Sequence, residues 1–161
     1  MMFIVHTYFL KLLHDFTKII SPKLKEKPHL KFDIIYQDET IYADKNRITQ
    51  ICLNFITNAI NYTHEGSIKF IIDSDEDSFT FKVKDTGVGI SDNAKHRIFT
   101  PFEQVQDNSS RYGGIGLGLY LCKLIVENLK GQIGFESTQH VGSTFWFKIS
   151  KKDDKHISRK I

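Results

Sequence analysis

The stretch that most restricts the fold is "ADKNRITQICLNFITNAINYT", residues 43–63. Its apolar residues follow the period of an α-helix, with Asp44 as candidate N-cap and Gly66 as stop signal. On a helical projection the apolar side chains form two flanks, one with Ile48, Ile51, Phe55, Ala59 and Tyr62, the other with Leu53, Ile56 and Ile60. A helix that is apolar on both flanks is expected to lie inside a layered core.

Between these flanks runs one polar stripe. Arg47, Gln50, Thr57, Asn58 and Asn61 all fall within about 60° of Asn54 on the helical projection. A solvated face would carry Lys and Glu, and asparagine is costly to bury without a partner. The stripe is therefore either a satisfied polar seam in the core or the wall of a pocket. In a pocket, asparagine carbonyl oxygens would suit Mg²⁺, and the amide N–H groups would suit phosphate.

The remaining pattern predicts the fold class. Strands are expected over 30–36, in "SIKFII" and "SFTFKVK", and in "QIGFES" and "STFWFKIS" near the end of the chain. Further helices are expected over 3–20, which Pro22 and Pro28 end, near 92–98, and over 118–131. This order predicts an α+β fold: a two-layer α/β sandwich with a mixed five-stranded sheet and three main helices on one face.

The domain limits follow from the same pattern. Residues 1–20 are interpreted as the end of a preceding domain or linker plus the first helix of this one. The domain proper is placed at 11–150, and the charged residues 151–161 are expected to form a disordered tail.

Composition excludes several classes of function. The 161 residues carry a net charge of only +3 and no block of Lys or Arg, so neither nucleic acid nor a membrane surface is an expected partner. The apolar start "MMFIVHTYFLKLL" is too short and too interrupted to span a membrane. Cys52 and Cys122 lie in apolar helical patterns and are expected to be reduced and packed, which favours a reducing, cytoplasmic location.

Two glycine segments are candidate ligand loops. In "DTGVG" (85–89), Gly87 and Gly89 would let the backbone approach a flat ligand, and Asp85 could accept from an exocyclic amine, although Asp-x-Gly is also ordinary turn chemistry. In "GGIGLGL" (113–119), glycines precede a long helix and could form an anion site or simply a hinge. Arg111 just before it could meet a phosphate or be a solvated loop charge.

Five segments occur in one order: "NFITNAINYT", "DTGVGI", "IFTPFEQ", "GGIGLGL" and "GSTFWF". Together they resemble the ATP-binding catalytic domain of sensor histidine kinases, in the superfamily shared with gyrase, the ninety-kilodalton heat-shock chaperone and the mismatch-repair ATPases. The resemblance covers roughly residues 11–150.

The resemblance implies binding roles for ATP and Mg²⁺. Asn58 corresponds to the metal ligand, Asn54 to its neighbour along the phosphates, Tyr62 to the aromatic on adenine, and Asp85 to the carboxylate that reads the adenine amine. The other implied nucleotide-binding positions are Asn61, Gly87, Gly89, Arg111, Gly114, Gly116, Leu117, Gly118 and Thr144, with residues 103–113 as a lid.

Two positions depart from the family pattern. Asn61 stands where many members have a lysine that would neutralise phosphate charge. The phosphoacceptor histidine is also missing, because "HDFTKI" at His14 lacks the family's arginine and proline. The resemblance therefore implies no catalytic residue within the chain and an acceptor histidine on a separate helical domain of the same parent protein.

Partners and alternatives follow from this resemblance. A response regulator is an indirect partner, the isolated chain is expected to be monomeric, and the parent is expected to be a homodimer that could be membrane-anchored. Two other functions stay open: an ATP-driven clamp, in which a glutamate would stand at the position of Asn54, and a non-catalytic interaction module with a relic pocket.

Overall fold

The computed structural model describes residues 5–37, 39–103 and 116–151. In chain order the elements are β1 (Val5–Tyr8), α1 (Phe9–Lys25), β2 (Leu30–Tyr36), β3 (Thr40–Ala43), α2 (Lys45–Tyr62), β4 (Gly66–Ser74), β5 (Ser78–Asp85), α3 (Asp92–Lys95), α4 (Gly118–Asn128), β6 (Gln132–Thr138) and β7 (Gly142–Ser150).

Five strands form one mixed sheet in the order β2-β4-β5-β7-β6. The β2–β4 pair is parallel, and the other three pairs are antiparallel. Along β4, β5 and β7 every second side chain is buried, and these side chains join one hydrophobic cluster with buried residues of α1, α2 and α4. The predicted α+β sandwich, with a mixed five-stranded sheet and helices over one face, is confirmed.

Helix α2 lies at the centre of the core. Asp44 caps it as predicted, accepting from the backbone N–H of Asn46 at 2.9 Å and of Arg47 at 3.3 Å. The Phe55 ring contacts the Phe145 and Phe147 rings of β7, with centroids 5.5 and 6.1 Å apart. Most residues of both apolar flanks are buried, whereas the residues of the asparagine stripe are half-buried or exposed.

The helix predicted over residues 3–20 is wrong at its start. Residues 5–8 form strand β1, which pairs antiparallel with β3 in a separate two-stranded sheet. Both strands are only four residues long and lie about 35 positions apart. Such pairing depends on a distant partner, which local apolar periodicity does not reveal.

Pro22 does not end helix α1, contrary to the prediction. The helix continues to Lys25 with Pro22 inside it. A proline in a helix interior costs about 3 kcal/mol through a lost hydrogen bond and a clash with the preceding turn. Packing on both sides of it offsets that cost, because Ile20 is buried and Leu24 packs against the core.

The other face of the sheet carries the alternate, more polar positions. Lys82 and Lys84 of β5 point to this side, as the alternation predicts. Trp146 also lies here, with Lys82 as its cross-strand partner, and its ring covers Gly134 so closely that a Cβ there would clash with the indole.

Cys52 and Cys122 are both free and buried, as predicted. Burial raises the pKa of both thiols, that of Cys122 to about 12. In the described ranges, no helix has the length and apolarity needed to cross a membrane.

Candidate functional site

The asparagine face of α2 forms one wall of the candidate site. Asn54 and Asn58 are half-buried, and Asn58 Nδ2 donates to Asn54 Oδ1 across a long 3.4 Å. Within the described part of the chain, the fully buried side-chain atoms without a partner are Thr49 Oγ1 and Thr63 Oγ1, not the asparagine amides. Because Asn54 and Asn58 are only half-buried, the stripe is not sealed in the core, which favours the pocket wall over the polar seam.

Asp85 forms the floor at one end of this wall. The carboxylate is only 7% exposed and lies at the last position of β5. Its Oδ1 accepts from the backbone N–H of Gly87 at 2.9 Å and, more weakly, of Ser143 at 3.3 Å. Burial raises the pKa of Asp85 above the ordinary carboxyl value, and these two N–H groups oppose the rise. Since both donors bind Oδ1, Oδ2 is the oxygen that can accept a hydrogen bond from a ligand.

Gly87 joins this floor to the end of α2. A Cβ at Gly87 would lie 2.7 Å from Thr63 Oγ1 and 3.0 Å from Asp85 Oδ1, and it would also overlap the Tyr62 carbonyl oxygen. The next residue, Val88, donates its N–H to that same Tyr62 oxygen at 3.1 Å. Only glycine allows this close approach, so the "DTGVG" segment is packed directly against the helix end.

Tyr62 and Asn61 occupy the last turn of α2 beside this floor. The Tyr62 side chain is 46% exposed, which leaves its ring free to stack on a flat ligand. Asn61 is half-buried on the polar stripe. Gly89 follows with a φ of +65°, against the backbone of the β6–β7 turn.

The N-terminus of α4 approaches the middle of α2. A Cβ at Gly118 would overlap the Asn54 amide, 3.0 Å from its Oδ1. Leu117 precedes the helix without a side-chain cap. Because the first N–H groups of a helix have no partner within it, those of α4 can donate to an anion beside Asn54, with the positive end of the helix dipole behind them.

The described residues on either side of positions 104–115 lie close together. Phe102 donates its backbone N–H to the Gly116 carbonyl at 3.0 Å. Gly116 has a φ of +77° and packs against the backbone of Phe102 and Glu103. The predicted site residues Arg111 and Gly114, and most of the expected lid, lie outside the described residues.

Thr144 is not brought to the site. It pairs with Lys84 and Glu136, so strand alternation places it on the outer face of the sheet. The neighbouring Ser143 pairs with Asp85 and donates to it. Sequence reasoning missed Ser143, although its spacing from Phe145 and Phe147 signals the same inward face.

The candidate groove is the asparagine face of α2, with Asp85 at one end and the N-terminus of α4 at the other. Its two ends differ chemically. The buried carboxylate and Tyr62 lie at the C-terminus of α2, and Asn54 meets the α4 N-terminus eight residues earlier, about 12 Å away by helical rise. One end can accept a hydrogen bond from a flat ring, and the other can donate hydrogen bonds to an anion. The arrangement suits an elongated ligand with a nitrogenous base at one end and phosphates at the other.

A hard metal ion fits beside the asparagines only with help from such a ligand. Because Asn58 donates through Nδ2, its carbonyl oxygen remains available for Mg²⁺. No cluster of three or more His, Cys, Asp or Glu side chains that could hold a metal occurs in the ranges described. Phosphate oxygens and water would have to supply the other ligands.

Known proteins that are similar to the chain include histidine kinases. The chain is 37% identical over 153 residues to hybrid signal transduction histidine kinase K of Dictyostelium discoideum, covering 85% of this chain and 13% of that protein. It is 34% identical over 147 residues to the sensor histidine kinase GacS of Pseudomonas protegens, covering 86% of this chain and 16% of that protein. The chain therefore spans less than a fifth of the length of these relatives.

Solved structures agree. Full-length ShkA in complex with AMPPNP matches with a TM-score of 0.83 at 27% identity, covering 95% of this chain and 32% of that one. The nucleotide-free catalytic domain of the histidine kinase ThkA matches with a TM-score of 0.79 at 27% identity, covering 93% and 97%. The family described as histidine kinase-, DNA gyrase B- and HSP90-like ATPase matches residues 43–153, and the chain belongs to this family.

Proposed function

We propose that the chain is the ATP-binding catalytic domain of a two-component sensor histidine kinase. It binds Mg–ATP along the asparagine face of α2 and presents the γ-phosphate to a histidine on a separate helical domain of the same parent protein. The observation that carries this proposal is the arrangement along α2, with a buried carboxylate at one end and, at the other, asparagine amides beside the N-terminus of α4.

Asp85 would recognise the base. Its Oδ2 is positioned to accept from the exocyclic amine of adenine, while Gly87 and Ser143 hold Oδ1 in place. Guanine carries a carbonyl oxygen at the corresponding position, which would face the carboxylate without a proton between them. The groove should therefore select adenine, and Tyr62 would stack on the ring from the end of α2.

The phosphates would lie along Asn54 and the first turn of α4. Asn58 would ligate Mg²⁺ through its carbonyl oxygen, and Asn54 would donate to phosphate oxygens. The bound metal neutralises phosphate charge. Asn61 and the glycines Gly89, Gly114, Gly116 and Gly118 would complete the binding surface, with Leu117 at the start of α4 and Arg111 nearby in sequence.

Phosphoryl transfer needs alignment and charge neutralisation more than covalent chemistry by the protein. The acceptor imidazole is itself the nucleophile, so the domain needs no base to activate water. Asn54 carries a neutral amide and cannot act as such a base. We therefore expect very slow ATP hydrolysis by the isolated chain, and rapid steady-state turnover without an acceptor would contradict the proposal.

The decisive experiment mixes this chain, ATP labelled at the γ-phosphate and a separate histidine-bearing acceptor domain. The expected product is acid-labile, base-stable phosphate on the acceptor, which should require Mg²⁺ and should disappear when the acceptor histidine is replaced by glutamine. Absence of AMPPNP binding at millimolar concentration in the presence of Mg²⁺ would instead favour an interaction module with a relic pocket.

We further propose a cytoplasmic location, a monomeric isolated chain and a homodimeric parent whose phosphate passes to a response regulator. Sedimentation with and without AMPPNP tests the oligomeric state. Dimerisation that depends on nucleotide would favour the ATP-driven clamp instead.

A further inference from the structure

The C-terminus of α2 is held by a side chain from another part of the chain. The last carbonyl groups of a helix have no partner within it, and α2, all of which is described, has no basic residue in its own last turn. Lys27, in the connection between α1 and β2, donates its ammonium group to the Ile60 carbonyl oxygen and, at 3.1 Å, to that of Thr63. A cation at this position also balances the negative end of the helix dipole.

Lys27 is itself fixed by the backbone on both sides. Its N–H donates to the Leu24 carbonyl in the last turn of α1, and its carbonyl accepts from the N–H of Leu30, the first residue of β2, each at 3.0 Å. The side chain is half-buried. Lys27 therefore connects the end of α1 to the end of α2 through a short, well-defined path.

The end of α2 is the part of the helix that shapes the base-binding floor. Tyr62 O accepts from Val88 N, and Thr63, which is 0% exposed, packs its hydroxyl against Gly87. Gly87 in turn donates to Asp85 Oδ1. A shift of Ile60 and Thr63 would therefore displace the residues that orient the carboxylate.

We infer that Lys27 is a positioning residue for base recognition: it holds the C-terminus of α2 against the "DTGVG" segment and so presets Asp85. This inference rests on the proposed ATP binding. It also gives α1 a direct connection to the base-binding floor. The alternative is that Lys27 contributes only to overall stability.

The test compares Lys27→Met, Lys27→Gln and Lys27→Arg in the full chain with Lys25→Met, which removes an exposed lysine from the end of α1. Calorimetry with AMPPNP and Mg²⁺, well below the unfolding temperature of each variant, measures affinity. We expect Lys27→Met to bind about tenfold more weakly, the equivalent of about one hydrogen bond to a charged group. Lys27→Arg should restore most of the affinity, and Lys25→Met should match the unaltered chain.

Amide hydrogen exchange of the empty protein separates positioning from general stability. Lys27→Met should speed exchange at Gly87 and Val88 at least fivefold, while the central sheet amides of Phe81 and Phe147 keep their rates. A uniform increase in all four rates, or unchanged AMPPNP affinity in a folded variant, would overturn the inference. Should Lys27→Met fail to fold, Lys27→Gln, which keeps a donor without the charge, provides the same two readouts.

Failure of the proposed function looks different. If the unaltered chain does not bind AMPPNP, the proposal of ATP binding fails. If the unaltered chain binds it and Lys27→Met binds equally well, only the role of Lys27 fails.

Discussion

Replacement of Asp85 by asparagine should lower nucleotide affinity without lowering stability. Asparagine has the same shape, and its Oδ1 can still accept from the N–H groups of Gly87 and Ser143. Its Nδ2 then occupies the place of Oδ2, so a donor faces the exocyclic amine of adenine where an acceptor stood. The lost charged hydrogen bond is worth about 1.5–3 kcal/mol, which corresponds to roughly a tenfold to 150-fold weaker affinity.

The stability of the empty protein should not fall in parallel. The folded-state pKa of Asp85 is raised by burial, so the folded chain binds this proton more tightly than the unfolded chain. The resulting stabilisation is fully present below the ordinary carboxyl pKa of 3.8 and is lost as the pH rises through the folded value. At pH 7 the buried charge is therefore a cost, and its removal should leave the variant as stable as the parent or more so.

Calorimetry with AMPPNP and Mg²⁺ measures the affinity, and urea unfolding at pH 7 and pH 4 measures the stability. Any stability advantage of Asp85→Asn over the parent should be smaller at pH 4 than at pH 7. Asp92→Asn is a matched control, because Asp92 is an exposed carboxylate whose described partner is Lys95 at 2.6 Å. An unchanged AMPPNP affinity in Asp85→Asn would remove the carboxylate from the site and refute the reasoning.

Three further substitutions test other parts of the site and fold. Gly118→Ala should leave the chain folded, because the Asn54 side chain can move aside, yet weaken AMPPNP binding severalfold in calorimetry; unaltered affinity would mean that Asn54 does not contact the phosphates. Thr144→Ala should leave AMPPNP affinity within about twofold, since the residue lies on the outer face, and a loss comparable to that of Asp85→Asn would contradict this placement. Asp44→Ala should lower the free energy of unfolding by about 1 kcal/mol in urea titrations through loss of the α2 N-cap, whereas no change would show that water caps the helix equally well.

Much of the sheet and the central helix could be predicted because their signals are local. The limits of α2 follow from an apolar period bounded by Asp44, and β5 follows from strict alternation ending at Asp85. These elements also carry most of the predicted site, so the amino-acid sequence alone is enough to name Asn54, Asn58, Tyr62 and Asp85 as candidates.

The parts that escaped prediction depend on contacts between distant segments. The β1–β3 pair needs two short segments to find each other, and the turn of α1 beyond Pro22 is held by packing of Leu24 on the core. In the sequence, Lys27 is one of several lysines near the end of a helix. Its hydrogen bond to the Ile60 carbonyl oxygen is visible only in the folded structure. Thr144 lies one residue from the inward-facing Ser143, and a difference of one residue reverses the face of a strand.

The position of Trp146 has a practical consequence for all of these measurements. It is the only tryptophan in the chain. Its indole packs on Gly134, on the face of the sheet opposite to α2 and the candidate site. Its intrinsic fluorescence should report loss of the β6–β7 pairing during denaturation but change little when nucleotide is added. Optical titrations of affinity will therefore need an added reporter, whereas the native signal offers a readout of unfolding that ligand does not distort.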